Sequence, residues 1–251
     1  MTSLAINVGV SLARMWLCKV ALVDLAVSSG HVALMLNLTP QFTLGELSRE
    51  TAQDISRELL DHYLTLHNSG LSILAAPTSA TAAENITPQL VNTFMPPLKG
   101  EFEYVLVDTA HYLSETTIAV FEHADLVIVL LAPDLASVKA TSDAVTILQS
   151  LGYPEEQIIT VLNHASSSRG LRGKDIEEAL GKRLNVVIPY EGEQFIDAIN
   201  RGTPLVMGSP NAPAAIVMEN LAYQLSKPEM REQAGPITSP VLARAKKRSA
   251  P

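Results

Sequence analysis

The chain has 251 residues, of which 47% are hydrophobic and 18% are charged, so it can bury a sizeable core and is not disordered as a whole. Its longest uninterrupted apolar run, Leu126 to Ala132, is far shorter than the roughly 20 residues of a membrane-spanning helix. The single cysteine, Cys18, excludes an intrachain disulfide and a cysteine-built cluster, and the first residues lack a signal-peptide pattern. We therefore expect a soluble, cytoplasmic protein.

The first predicted element is a helix. Thr2 and Ser3 stand where N-cap residues stand, and the apolar residues of the segment from Leu4 to Trp16 recur with helical spacing. A short connection of three residues then leads into the apolar run Val20 to Leu25, as in the second half of a β-α-β unit.

Further apolar runs and amphipathic segments alternate along the chain. The runs are apolar on both faces, which is typical of parallel strands covered by helices on both sides. The predicted strands are Val20 to Leu25, Leu71 to Ala76, Tyr104 to Asp108, Leu126 to Ala132, Ile158 to Asn163 and Leu184 to Pro189. The predicted helices are Leu4 to Trp16, Ile55 to Leu66, Pro88 to Leu98, Glu115 to Glu122, Ser137 to Leu151, Lys174 to Leu180, Glu193 to Asn200 and Ala214 to Ser226.

This alternation predicts an α/β fold, doubly wound around a mostly parallel sheet, in one domain over residues 1–226. Function in such sheets is expected at the carboxyl ends of the strands. Those ends carry Asp24, Asp108, Asn163 and the pair Pro189 and Tyr190. An aspartate at such a position can also serve simply as a loop cap or helix N-cap, and the spacing alone leaves both roles open.

The last segment, 227–251, differs in composition from the rest. It carries six Lys or Arg and two Glu, a net charge of +4, so the chain's total of −8 leaves −12 for residues 1–226. Its four prolines predict a basic, disordered tail. The acidic body disfavours wrapping nucleic acid, and we predict no specific nucleic-acid partner.

The sequence contains no strand ahead of the first helix and no Gly-rich phosphate loop. A buried strand contributes on the order of 10 kcal/mol to the stability of the fold, because burying each of its several apolar side chains contributes roughly 1.5 to 3 kcal/mol. We therefore expect Met1 to be an internal position of a longer protein, or the strand to be supplied by something else.

Taken in order, the segments resemble the MinD/ParA superfamily of deviant Walker A ATPases, and its CpaE/TadZ-like pilus-assembly branch in particular. The run from Thr2 to Val8 resembles the helix after the family's KGGxGKT loop. Val20 to Leu25 resembles the strand leading into switch I, and Glu103 to Thr109 resembles the Walker B strand. The resemblance covers residues 2 to about 226, and it implies a P-loop NTPase fold whose first strand and P-loop are missing here.

The resemblance also implies roles for individual residues. Thr2 would coordinate Mg²⁺ beside the phosphates with Ser3 next to it, and Asp108 would hold that ion through water. Asp24 would be a switch I acid with a catalytic role. The adenine pocket would be lined by Asn163, Pro189 and Tyr190. ATP or ADP and Mg²⁺ are the cofactors implied.

Two departures from the family pattern reduce the expected activity. Met1 stands at the position of the P-loop lysine, and Ala26 stands at the position of the second switch I acid, which positions the attacking water. We therefore expect impaired nucleotide binding and little or no hydrolysis. The implied function is the positioning of a pilus apparatus, with pilus or secretion assembly proteins as partners, a homodimer, and a location at a cell pole or peripheral to the inner membrane.

The alternative is an active, dimeric switch ATPase for chromosome partition or septum placement, whose P-loop was lost through a wrongly chosen start. The six histidines show no metal-ligand spacing. His111 is the exception to watch, because it follows Asp108 closely in the sequence.

Overall fold

The structure is a computed structural model, and it describes residues 1–28, 30–51, 55–164, 170–233 and 239–249, with the side chains of Gln233 and Ser249 left out. The strands are β1 (Val20–Leu25), β2 (Thr65–Leu66), β3 (Leu71–Leu74), β4 (Tyr104–Thr109), β5 (Val127–Leu131), β6 (Ile158–Asn163) and β7 (Val186–Ile188). The longer helices are α1 (Thr2–Trp16), α4 (Arg57–Tyr63), α6 (Pro88–Glu101), α7 (Glu115–Phe121), α8 (Leu135–Ser150), α9 (Gly173–Leu180), α10 (Gly192–Arg201), α12 (Pro213–Leu225) and α14 (Pro240–Ser249). The short helices are α2 (Val32–Met35), α3 (Leu44–Leu47), α5 (Ala80–Ala83), α11 (Leu205–Gly208) and α13 (Pro228–Gln233).

The strands form two groups, in the orders β2-β3-β1-β4 and β5-β6-β7. All pairings are parallel except β2 with β3, so the predicted α/β class with a mostly parallel sheet is confirmed. The alternating connections place helices on both faces of each group, because parallel neighbours require crossover connections.

One hydrophobic core joins the two groups of strands. It contains buried residues of α1 and α12 together with Leu22 of β1, Val161 of β6 and Ile188 of β7. Burial of apolar surface on both groups by the same helices therefore fixes their relative position.

A second contact joins the part of the chain that carries β1 to β4 with the part that carries β5 to β7, and it lies at Asn37 and Gly202. Both residues have left-handed backbones, with φ of 51° and 60°. A Cβ at Gly202 would lie 2.4 Å from the Cβ of Asn37, so the two loops touch through backbone atoms. Glycine is required at 202 both by its positive φ and by this close approach.

The amino terminus differs in detail from the prediction. The helix begins at Thr2, and Met1 rather than Thr2 or Ser3 is the N-cap, with no side-chain cap bond. Thr2 therefore lies in the first turn, where its hydroxyl is free to bond elsewhere.

The predicted helix from Ile55 to Leu66 was also wrong at its end. The chain leaves the helical region at Leu64, and Thr65 and Leu66 pair with β3 instead. Local helix propensity does not predict this change from helix to strand, because the antiparallel pairing depends on a strand that follows later in the sequence.

The prediction of a disordered tail was wrong for the described part of residues 227–251. Val241, Leu242 and Ala245 share one face of α14 and are buried against α1 and α12. The helix is also held by Arg244 and Arg248, which bond to the carboxylate of Glu219 at 2.5 and 2.9 Å. Residues 234–238 and 250–251 of the predicted tail lie outside the described residues.

None of the described helices combines the length and the apolar character that a bilayer span requires.

Candidate functional site

The centre of the candidate site is a hydroxyl–carboxylate pair at the carboxyl end of β4. The hydroxyl of Thr2, in the first turn of α1, donates to Oδ2 of Asp108 at 2.6 Å. Asp108 is 3% exposed, and it reaches this position because it lies one residue before the end of β4. The structure thus brings together two residues that lie 106 positions apart.

Asp24 lies beside this pair, because β1 and β4 pair in parallel with Asp24 opposite Asp108. Its carboxylate accepts two backbone N–H bonds, from Ala26 at 3.3 Å and from Val32 at 3.1 Å. Asp24 therefore closes the loop between β1 and α2, which is the loop-cap role that the sequence left open.

Both carboxyl groups have raised pKa values. Burial raises the pKa of Asp24 to about 6, against the lowering effect of the Val32 N–H, and the charge of Asp108 adds to the increase. Burial also raises the pKa of Asp108, while the Thr2 hydroxyl and the ammonium group of Met1 act in the opposite direction. Two buried carboxylates on adjacent strands create a local demand for positive charge.

A second group of predicted residues meets at the ends of β6 and β7. Asn163 lies opposite Ile188 in the parallel pairing, and the N–H of His164 donates to the Ile188 carbonyl at 3.1 Å. Pro189 and Tyr190 follow directly, so the structure places all three predicted adenine-pocket residues at neighbouring strand ends. The Tyr190 side chain is 46% exposed.

Ser3 lies between the two groups of residues. Its carbonyl accepts a bond from Nδ2 of Asn7 at 2.7 Å, and Ser3 and Asn7 line a small cavity together with Phe195 of α10. Because α10 follows β7, this cavity shows that the carboxyl ends of β4 and β7 lie at the same edge of the molecule.

Sequence reasoning missed two residues that shape the site. Oδ1 of the buried Asn7 accepts the Val206 N–H at 3.0 Å, which ties α1 to α11. A Cβ at Gly30 would lie 2.7 Å from Oδ2 of Asp24, so only glycine lets the loop close over that carboxylate. The signal for Asn7 was a polar residue within an apolar helix, whereas Gly30 offered none.

A cleft of about 670 Å³ opens beside Asp24, between the loops that follow β1 and β3. Its wall includes His31, Thr43 and Ser79, none of which the sequence singled out. His111, which the sequence did single out, lies exposed in the loop after β4, with its ring edge-on to Tyr112 at a centroid distance of 5.3 Å.

The residues at this edge fit a hard divalent cation better than they fit a phosphate group. Hydroxyl and carboxylate oxygens are the donors that Mg²⁺ prefers, and Thr2 and Asp108 provide them side by side. The N-cap of α1 is Met1, whose side chain carries no charge for a phosphate. The start of α1 alone contributes only about 0.3 to 1 kcal/mol toward an anion.

No family model matches the sequence. The chain is similar to the septum site-determining protein MinD of Thermotoga maritima, with 24% identity over 229 residues, 89% of this chain and 82% of that protein. Among solved structures, a ParA family ATPase from Chlorobium tepidum matches with a TM-score of 0.81 and 20% identity, over 88% of this chain and 91% of that one. MinD of Pyrococcus horikoshii in complex with Mg-ADP matches with a TM-score of 0.78 and 20% identity, over 90% of each chain. The chain therefore has the fold of the MinD/ParA superfamily of P-loop ATPases.

Proposed function

We propose that this protein is a nucleotide-switch platform of the CpaE/TadZ type, which positions a pilus-assembly apparatus and hydrolyses ATP weakly or not at all. The observation that carries the nucleotide part is the bond between Thr2 and Asp108, because it sets a hydroxyl and a buried carboxylate at the edge where this fold binds nucleotides. The pilus part is supported by the resemblance of the sequence segments to that branch.

Thr2 and Asp108 would hold a Mg²⁺ ion, which would neutralise phosphate charge when bound. Asn163, Pro189 and Tyr190 would face the base, since they meet at the ends of two adjacent strands. Asp24 would stabilise the loop after β1, given its two bonds to backbone N–H groups.

Ala26 supports the weak or absent hydrolysis. Its N–H bonds to Asp24, and its methyl side chain can neither orient nor deprotonate a water molecule. Tyr190 and Leu135, 46% and 74% exposed, follow two strand ends and offer apolar surface for a homodimer or an assembly partner.

The alternative function is an active, dimeric switch ATPase in chromosome partition or septum placement. It is favoured by the similarity to the septum-site protein of T. maritima and to the ParA family ATPase. The two functions differ in what residue 26 must do.

The test is a fusion in which a family-type strand and a KGGxGKT loop precede Thr2, so that lysine replaces Met1. The platform proposal predicts Mg²⁺-dependent ATP binding with negligible turnover, and turnover that increases when Ala26→Asp is added. Asp108→Ala is the matched control, which should weaken the Mg²⁺-dependent binding. Turnover in the fusion that retains Ala26 would refute the platform and favour the active ATPase.

A further inference from the structure

Asn7 is a buried polar residue between apolar neighbours in α1. The residue is 3% exposed, and the flanking Ile6 and Val8 are 2% and 1% exposed. Its amide makes two bonds: Nδ2 donates to the Ser3 carbonyl at 2.7 Å, and Oδ1 accepts the Val206 N–H at 3.0 Å. A carboxylate cannot donate and an aliphatic side chain can do neither, so the two bonds together require an amide.

The two bonds of this amide lead to the two sides of the candidate site. Ser3 follows Thr2 in the first turn of α1, and the Thr2 hydroxyl belongs to the hydroxyl–carboxylate pair. Val206 lies in α11, which ends the segment 192–208 formed by α10, α11 and their connection, and this segment starts shortly after Tyr190. The Asn7 amide therefore connects the cation side of the site to the base side, across 199 positions of sequence.

The Val206 N–H depends on this bond. It belongs to the second residue of a four-residue helix, where an N–H group has no carbonyl partner within the helix. Val206 and the preceding Leu205 are 2% and 1% exposed, so water has little access to the N–H group. Without the Asn7 acceptor a buried donor would lose its partner, and α11 would have to shift to recover one.

The segment 192–208 is fastened at further points, so that a displacement at one end is carried to the other. Before its start, Oε2 of Glu191 accepts the Ala214 N–H at 2.9 Å and joins the segment to α12. After α10, Gly202 touches the backbone of Asn37. Closely packed elements transmit strain rather than absorb it, so a ligand that fixes Tyr190 also restricts α11.

Ser11 is the other buried polar residue of α1, and its bond is local. It is 1% exposed, and its hydroxyl donates to the Asn7 carbonyl at 2.7 Å, one turn earlier in the same helix. Ser11 and Asn7 therefore match in burial and in element. Only the bonds of Asn7 reach α11, so Ser11 is the control for a purely structural effect.

We infer that Asn7 is a positioning residue whose amide holds the first turn of α1, and with it the Thr2 hydroxyl, in register with the segment 192–208, so that the two sides of the site respond to ligands together. The inference deepens the proposed function and rests on it for the identity of the ligands, a cation at Thr2 and a base at Tyr190. A ligand on one side lowers the cost of ordering the other side, which gives positive coupling.

The first test needs no ligand and compares amide hydrogen exchange in the full chain, at low temperature, for the wild type and three variants. We expect exchange in residues 205–208, relative to residues 71–74 of β3, to accelerate about tenfold in Asn7→Leu and about threefold in Thr2→Val. Ser11→Ala should leave this ratio unchanged.

The arm with Thr2→Val is decisive, because this residue makes no bond to α11, and it carries the test if Asn7→Leu does not fold. Thr2→Ser keeps the hydroxyl and should restore the wild-type ratio. An unchanged ratio in Thr2→Val, or an equal acceleration in Ser11→Ala, would overturn the inference.

The second test uses Mn²⁺ as the probe for the cation and adenosine as the probe for the base. We expect each probe to raise the affinity of the other about fivefold in the wild type and in Ser11→Ala, and to have no such effect in Asn7→Leu. Equal coupling in Asn7→Leu and the wild type would overturn the inference. If neither probe binds the wild type, the proposed function is refuted, whereas the exchange ratio in Thr2→Val still decides the role of Asn7.

Discussion

The two aspartates at the carboxyl edge differ in their bonding although both end buried strands. Asp24 is bonded to backbone N–H groups of the following loop, whereas Asp108 is bonded to a side chain on α1. The resemblance implied that Thr2 and Asp108 serve the same Mg²⁺ ion, and the structure joins them by a direct hydrogen bond. The bonds of Asp24 could not be predicted, because they form only when the loop after β1 folds back over the carboxylate. That close approach requires glycine at position 30.

We expect Asp24 to make stability depend on pH. Its pKa is raised from 3.8 to about 6, so the folded state binds more protons than the unfolded state between these values, and the free energy of unfolding falls as the pH rises from about 4 to about 6. The loss is about 3 kcal/mol. Urea unfolding of the wild type and of Asp24→Asn on both sides of this window should show a flatter pH dependence in the variant. In the variant some decrease of the free energy of unfolding with rising pH should remain, because the pKa of Asp108 is also raised. Equal slopes in the two proteins would show that Asp24 does not titrate in this way.

The Thr2 hydroxyl should stabilise the buried Asp108 carboxylate. Thr2→Val removes the donor, and we expect the free energy of unfolding to decrease by about 1–3 kcal/mol at neutral pH. Thr2→Ser keeps the hydroxyl and should retain most of the stability. Similar losses in both variants, measured by urea unfolding, would mean that the threonine methyl group rather than the bond is responsible.

Among the elements, the strands and long helices were predictable because their patterns are local. Parallel strands that are buried on both faces are continuously apolar, and each predicted strand is present in the structure. The four-residue helices α2, α3, α5 and α11 are too short to show a periodic pattern. Helix α14 was missed because its stability depends on Glu219, more than 20 residues earlier in the chain.

The contact between α14 and α12 should depend on charge balance at Glu219. Replacing both Arg244 and Arg248 by alanine leaves a carboxylate that is 1% exposed without a cationic partner. We expect a loss of about 3 kcal/mol and faster hydrogen exchange in residues 240–249. Adding Glu219→Gln to the double variant should recover part of the loss, since it removes the uncompensated charge. Lys247→Ala, at an exposed position of the same helix, is the control and should change little. An unaltered exchange rate in the double variant would show that apolar contacts alone hold α14.

At the scale of the whole molecule, the two strand groups share a helical core, and within the described part of the chain no ladder of hydrogen bonds joins them. How the halves hold together could not be predicted, since Asn7, Asn37 and Gly202 act through contacts across the fold.

The 251-residue chain made alone should therefore aggregate or melt at low temperature. Half-buried apolar side chains on β4 and β5 contribute less stability than fully buried ones, and strand edges that no described strand covers promote association. Calorimetry should give a midpoint below the usual range of about 45–65 °C. A sharp cooperative transition of a monomer above that range would contradict this expectation.

The contact of Asn37 with Gly202 has a consequence for natural sequence variation. A side chain at position 202 would collide with the backbone of residue 37, so a substitution at one position requires a change at the other. Aligned relatives should show these two sites changing as a coevolving pair, with insertions in one loop accompanied by remodelling of the other.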